Sequence, residues 1–410
     1  MIANREQSNA AVYWPAVVFV AIFFVVSEEI RLIMTVASIL LLIIKYRGDF
    51  KLSLPPYSAL VILIPLIGMV SGTVNGQFDS FGSYKFIRDV AYYFSPFLLW
   101  FLGCSMGARQ RNVNSFWTTL FFMSFSSSLS MIVQGLLNGG ASTFTLSSFN
   151  ANEMVIYAPI LMILSPDSWT WRGSHKRAAW CITGVSMFAI IISLSRTSLI
   201  CLLVFLLVFS LRSLPRFLKT IMLGLACVLV ILAATSFFPS DVSNEFFTKI
   251  GNSITEVSSS KTLWDEVSIN TNWRGYEKYC AQLDYRFSDT HTKLFGHGFG
   301  YLMSVGLYSS LVTGDVGLPF LHNGYYSLLV KCGSISVLLL LVFYGLHAFI
   351  LTKMWIVSGD EVTGIALGML LCLAICSYVI EGLFIPSALY FFTLPLAMIY
   401  GAQLSARRTD

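Results

Sequence analysis

Long apolar stretches alternate with short polar ones along most of this chain, and the apolar stretches have membrane length. A crossing helix needs roughly 20 apolar residues, with some latitude. On that measure the pattern predicts twelve spans: 11–27, 30–45, 57–75, 88–107, 115–137, 152–166, 178–194, 197–211, 219–238, 323–352, 361–380 and 383–403. The run from Ala178 to Phe209 is too long for one crossing, and a tight turn at Ser193-Leu194-Ser195-Arg196 divides it. The run from Ala11 to Val26 has no small-residue cleavage site before Ser27-Glu28-Glu29 and reads as a retained span, not a signal peptide.

One segment breaks the alternation. Residues 238–322 are polar and too long for a mere connector. The chain therefore divides into spans one to nine (1–237), an extramembrane segment (238–322) and spans ten to twelve (323–410). The segment is predicted to hold helices. Asn270-Thr271-Asn272 is placed to cap one, and Trp273, Tyr276, Cys280, Leu283 and Phe287 then follow at spacings of 3, 4, 3 and 4. That gives one apolar face, to lie on the membrane surface or against the bundle.

Composition agrees. Hydrophobic residues make up 56% and charged residues 11%, against about 25% charged in a soluble domain. The fold class expected is an all-α polytopic membrane protein of about twelve transmembrane helices. The eight cysteines fall mostly in or beside apolar runs and read as small apolar packers, not a disulfide framework. The net charge of +5 implies no nucleic-acid partner; the placement of the charge matters more. With a cytoplasmic N-terminus, fifteen of the 26 Lys and Arg fall in inner segments. Six of the other eleven lie in 238–322, which long-loop behaviour allows to cross regardless of charge. The long segment is thereby placed outside.

Residues able to do chemistry gather at that outer side. Arg196, in SLSRTSLI, stands between two strongly apolar helices. Ionisable residues there are costly and usually functional, with snorkelling to headgroups as the plain alternative. Arg274 opens the amphipathic helix off its apolar stripe, where it would meet a phosphate or simply solvent, and Lys278 adds charge one turn on. His322-Asn323 marks the mouth of the tenth span. A neutral imidazole there can accept a proton from a hydroxyl, and Asn323 can orient substrate or cap the helix. Gly333, ten residues on, is expected to permit close helix packing.

LFGHGFG, residues 294–300, predicts a tight turn or a close backbone approach, with His297 a secondary acid–base candidate. Lys85, Arg88 and Asp89 mark the outer mouth of the fourth span. Arg88 either adds to a basic patch or is neutralised by Asp89. Asn150, Asn152 and Glu153 are placed to cap the sixth span. The histidine spacing fits no zinc motif.

Taken in order, SLSRTSLI, then NWRGYEKY, then LFGHGFG, then HNGYYSLLVKCG, these motifs resemble the O-antigen ligase and O-antigen polymerase superfamily of bacterial membrane glycosyltransferases. The resemblance runs from about Ala178 to Val342. Its most specific part is the histidine-asparagine pair with the following glycine. Where that family often has a leucine four residues after the arginine, this chain has Ile200.

The resemblance implies a lipid-dependent glycosyltransferase-like helical bundle in the bacterial inner membrane, with its active face in the periplasm. The donor would be a glycan on undecaprenyl diphosphate. The acceptor would be a second lipid-linked glycan for a polymerase, the slightly favoured reading, or the lipid A core for a ligase. A chain-length regulator would be a possible partner. No cofactor, nucleotide sugar or metal is implied. Arg196 and Arg274 would clamp the diphosphate and His322 would act as base. Asn323, His297, Lys278 and Arg88 would contact substrate.

Two rivals predict otherwise. A transporter or flippase of lipid-linked glycans requires ionisable residues near mid-membrane and an internal repeat. An envelope scaffold requires that Arg196 and His322 be replaceable without loss.

Overall fold

A computed structural model describes residues 28–45, 57–80, 83–108, 113–139, 153–164, 169–193, 196–210, 264–306, 317–379, 382–384 and 386–406. Predicted spans 11–27 and 219–238 lie outside these residues, as do Asn150 and Asn152. The chain is an all-α membrane protein. Its main helices are α1 (Glu28–Lys45), α2 (Ser58–Val74), α3 (Ser83–Gly107), α4 (Val113–Gly139), α5 (Tyr157–Leu164), α6 (Lys176–Ser193) and α7 (Arg196–Ser210). They continue with α8 (Glu266–Thr271), α9 (Trp273–Phe287), α10 (Thr290–Phe295), α11 (Gly324–Ser358), α12 (Glu361–Val379) and α13 (Pro386–Ala406).

Helices coincide with ten of the predicted spans. Five are long and apolar enough in themselves to cross a membrane: 84–107, 116–137, 176–193, 324–358 and 361–379. Among the described residues there is no strand, only an isolated antiparallel bridge between Met303 and Leu318.

The chain folds into two units, each assembled from separate stretches. One takes Met1–Arg31, Gln110–Thr248 and Met354–Gly368. Its core is tied by short polar links between apolar helices. Ser124 on α4 donates to the Val155 carbonyl and accepts from the Ala158 N–H, and Ser128 bonds Ser186 on α6. Such bonds satisfy hydroxyls that lipid cannot. Glu153 opens a 3-10 turn ahead of α5 and is buried.

The second unit takes Leu32–Arg109, Lys249–Lys353 and Met369–Asp410. Here α3 and α13 lie backbone to backbone, because Gly103, Gly107 and Gly401 leave no room for a Cβ against Ala397, Met398 and Cys104. Small residues at such a seam are the usual device where helices pack in lipid.

Helices α8, α9 and α10 belong to this second unit, and α9 packs through the apolar face that the pattern marks. The Asn272 side chain accepts from the Gly275 N–H and caps α9. Trp273, Tyr276 and Cys280 pack on a buried cluster of Ala281, Met303, Val305, Leu318, Leu321 and Val330. The apolar face of α9 is thus covered by the end of its own segment and the start of α11. The far end departs from expectation: Phe287 is exposed, nearly two turns past Ala281, the last α9 residue in the cluster.

Candidate active site

The glycine-rich turn is what fixes the site. Gly296, Gly298 and Gly300 all have positive φ, at 78°, 91° and 90°. A Cβ on Gly298 would strike the Gly72 backbone of α2, and one on Gly296 would strike Lys331 and Cys332 of α11. The turn is therefore inserted between two apolar helices as bare backbone, which only glycine permits.

Its N–H groups need partners there, and α11 supplies them by breaking. Gly333 sits at φ 75°, ψ 178° inside α11. Interrupting the ladder there exposes the carbonyls of the preceding turn. The His297 N–H donates to the Val330 carbonyl at 2.9 Å and the Gly298 N–H to the Lys331 carbonyl at 2.8 Å. On the α2 side the Phe299 N–H donates to Gly68, and Ser71 and Asn75 donate to the Gly296 and His297 carbonyls. Gly333 does permit close packing, since the α10 backbone at Leu294 and Phe295 comes up against it, and it also breaks α11.

Held by this wedge, α11 starts at Gly324, immediately after His322-Asn323. Asn323 is the helix cap, its Oδ1 accepting from the N–H groups of Tyr325 and Tyr326 at 3.1 and 3.2 Å. His322 reaches back to α9. Its backbone N–H donates to Glu277 Oε2 at 2.9 Å, and its Nδ1 lies 2.9 Å from Glu277 Oε1. The Glu277 side chain is only 4% exposed, while that of His322 is 44% exposed. A buried carboxylate facing Nδ1 holds the proton on that nitrogen, so the basic lone pair falls on Nε2. Arg274 stands three residues before Glu277 on α9, a neighbouring position on the helix surface, and is exposed. Arg274 therefore lies about one helical turn from the residue that holds His322. Lys278, next to Glu277, is half-buried.

His297 is placed differently. Its Nε2 lies 3.0 Å from Asp284 Oδ2, and its ring stacks on Tyr301 at 3.9 Å. Tyr301 donates to Asp284 Oδ1 at 3.0 Å. Burial, then the adjacent Asp284 charge, pushes the Tyr301 phenol up, so it remains a donor. Asp284 lies two turns beyond Glu277 on α9, about 10 Å along the axis. His297 therefore braces the segment at a distance from His322.

A second charged group lies in α3. Asp89, fully buried, accepts at Oδ2 from the Lys331 ammonium and from the Gly300 N–H at 2.9 Å. Asp89 is thus engaged across the unit and not mainly by its neighbour Arg88, whose Nη2 lies 3.7 Å from Oδ1. The Arg88 guanidinium and the Lys331 ammonium both approach the Phe320 ring, at 5.0 and 4.6 Å from its centroid, within cation–π range. Tyr92 stacks on the same ring. Phe320 is two residues before His322.

Arg196 begins α7 in the other unit, and its side chain lies outside the described residues. Three participants escape the sequence reading: Glu277, Lys331 and Phe320. Glu277 does carry a signal, since it is four residues after Trp273 and three before Cys280, an acid on an apolar stripe. Lys331 carries another, as a lone cation in an apolar run. Comparison of the chain with family models and with curated proteins gives no match.

Proposed function

We propose that this protein is a metal-independent glycosyltransferase that uses a polyprenyl-diphosphate-linked glycan at the outer face of a bacterial inner membrane. The observation that carries the reading is the exposed His322 imidazole held through Nδ1 by the buried Glu277 carboxylate. A histidine oriented by a carboxylate, with an exposed arginine one helical turn from that carboxylate and a membrane helix starting just after it, suits proton removal next to a membrane-borne anion.

In the reaction the acceptor hydroxyl oxygen attacks the anomeric carbon. The bond from that carbon to the diphosphate oxygen breaks, and the electron pair leaves with the diphosphate. The hydroxyl proton passes to His322 Nε2. Direct displacement inverts the anomeric carbon. Arg274 offsets the charge growing on the leaving group. Glu277 is a positioning residue, fixing the tautomer and stabilising the imidazolium that forms. Arg196 belongs to the reading through its motif, as a second cation for the diphosphate.

The finer architecture goes with this reading: twelve spans, with 238–322 as a periplasmic lid on a lipid-dependent glycosyltransferase-like bundle. A polymerase of surface polysaccharide is favoured over a ligase to the lipid A core. Buried Asp89 and Lys331 do place ionisable groups inside helices, as a transporter requires, but they neutralise each other and hold the glycine-rich turn in place.

The test is His322→Ala and Glu277→Gln in cells whose own copy is deleted, with gel analysis of envelope glycans. His322→Ala is expected to reduce transfer by on the order of 10²–10⁴-fold, the usual contribution of a general base, with the protein still in the membrane. Glu277→Gln lowers kcat more than it raises KM, and Glu277→Asp restores part of the loss. Undiminished glycan from His322→Ala refutes the reading. Loss of long chains with single units retained marks a polymerase; full chains left on the carrier lipid mark a ligase.

A further inference from the structure

The charge cluster around Asp89 is not balanced by the groups it contains. Two cations, Arg88 and Lys331, face one carboxylate. Asp89 Oδ2 is filled by Lys331 and Gly300, and Asp89 Oδ1 has no hydrogen bond. Arg88 Nη2 stands 3.7 Å from that oxygen, beyond hydrogen-bond reach. Both Nε and Nη2 of Arg88 are buried without a hydrogen-bond partner. These two N–H groups share one edge of the guanidinium, the edge that meets two oxygens of a phosphate side by side. A charged donor left unpaired out of water is costly, and the Phe320 face offsets only part of that cost. The Arg88 side chain keeps 19% of its surface exposed, so the cluster is reachable from outside.

Depth points the same way. Beyond Asp89, α3 runs on from Val90 to Gly107, and beyond Gly333, α11 runs on to Ser358. At 1.5 Å per residue these stretches are about 27 Å and about 37 Å long, close to or above the ~30 Å hydrocarbon core. Each can span the core by itself. Arg88, Asp89 and Lys331 then lie together where hydrocarbon gives way to headgroups.

We propose that the Nε–Nη2 edge of Arg88, seated on Phe320 beside the Asp89–Lys331 pair, binds a phosphate of a lipid-borne diphosphate two residues from His322. The identity of the anion as a lipid diphosphate rests on the functional reading above; the existence of an anion site does not. Lys331 supplies the positive background and Asp89 keeps Lys331 from taking the phosphate itself. A free diphosphate has the same headgroup chemistry, so the experiment must separate the two sources.

Full-length protein in nanodiscs of zwitterionic lipid is titrated with farnesyl diphosphate, with farnesol, and with inorganic pyrophosphate as competitor. Saturable binding of farnesyl diphosphate is expected, with pyrophosphate competing more weakly and farnesol not binding. Arg88→Gln should weaken farnesyl diphosphate about 10-fold or more, and Arg88→Lys, which keeps the charge and loses the edge, by an intermediate factor. His322→Ala should bind like the unaltered protein.

Farnesol binding as tightly as the diphosphate, or no saturable binding at all, overturns the proposal. Pyrophosphate binding as tightly as farnesyl diphosphate overturns its lipid part. Unchanged affinity in Arg88→Gln shows an arginine that only accompanies Asp89, and overturns the site. If Arg88→Gln does not fold, unchanged affinity in Arg88→Lys does the same. Arg88-dependent binding together with full transfer by His322→Ala would leave the anion site standing and remove the catalytic reading. The reverse pattern would remove the anion site alone.

Discussion

At the scale of single residues, the Asp89–Lys331 pair makes a prediction about stability. A buried pair broken from one side leaves an uncompensated charge and typically costs about 3–5 kcal/mol. The two halves of this pair are not equivalent. Lys331→Met leaves Asp89 with the Gly300 N–H and with Arg88 at 3.7 Å. Asp89→Asn leaves two cations facing each other over Phe320 with no carboxylate between them. Asp89→Asn is therefore expected to lower the thermal unfolding midpoint in detergent more than Lys331→Met does, and the double replacement to recover part of the loss. Equal effects would mean that Arg88 does not feel Asp89. The partners of these groups were not legible in the sequence, because a pairing separation of 242 residues leaves no local pattern. What the sequence did offer was the anomaly of each charge in an apolar run. The same holds for Glu277: its place on an apolar stripe announces an internal partner, while the identity of that partner comes only from the fold.

At the scale of elements, the break in α11 governs the site. Gly333 occupies backbone space open in practice to glycine alone, and a Cβ there would meet the Leu294 carbonyl. Gly333→Ala must straighten α11 or strain it, at a cost of roughly 1–3 kcal/mol or more. Straightening withdraws the Val330 and Lys331 carbonyls from His297 and Gly298. The expected outcome is faster amide hydrogen exchange across 296–300, along with a lower unfolding midpoint. Unchanged protection of that turn would show that α11 does not hold it. The sequence made α9, its Asn272 cap and the need for glycine in 296–300 readable, because capping and positive φ are local demands. It showed a glycine at 333 without showing that it breaks the helix, since a glycine in an apolar helix serves packing as often as kinking. The α9 stripe is longer in the sequence than in the packing for a related reason. Periodicity continues to Phe287, whereas the surface it packs on ends earlier.

At the scale of the whole molecule, the distribution of lysine and arginine predicts which side of the membrane each exposed segment faces. In that scheme α11 passes from the outer segment 238–322 to an inner loop that begins near Lys353. Two exposed positions bracket the crossing: Thr290 at the start of α10 and Ser358 at the end of α11. Cysteine at each position, read against the protein's own cysteines, gives a direct measure of sidedness. A membrane-impermeant maleimide applied to cells with a permeabilised outer membrane is expected to label Thr290→Cys at once. Ser358→Cys should be labelled only after the inner membrane is opened. The opposite result would place His322, Arg274 and Arg88 on the cytosolic side. A lipid-linked glycan awaiting transfer outside the membrane would then have no route to them, whatever the chemistry of the site.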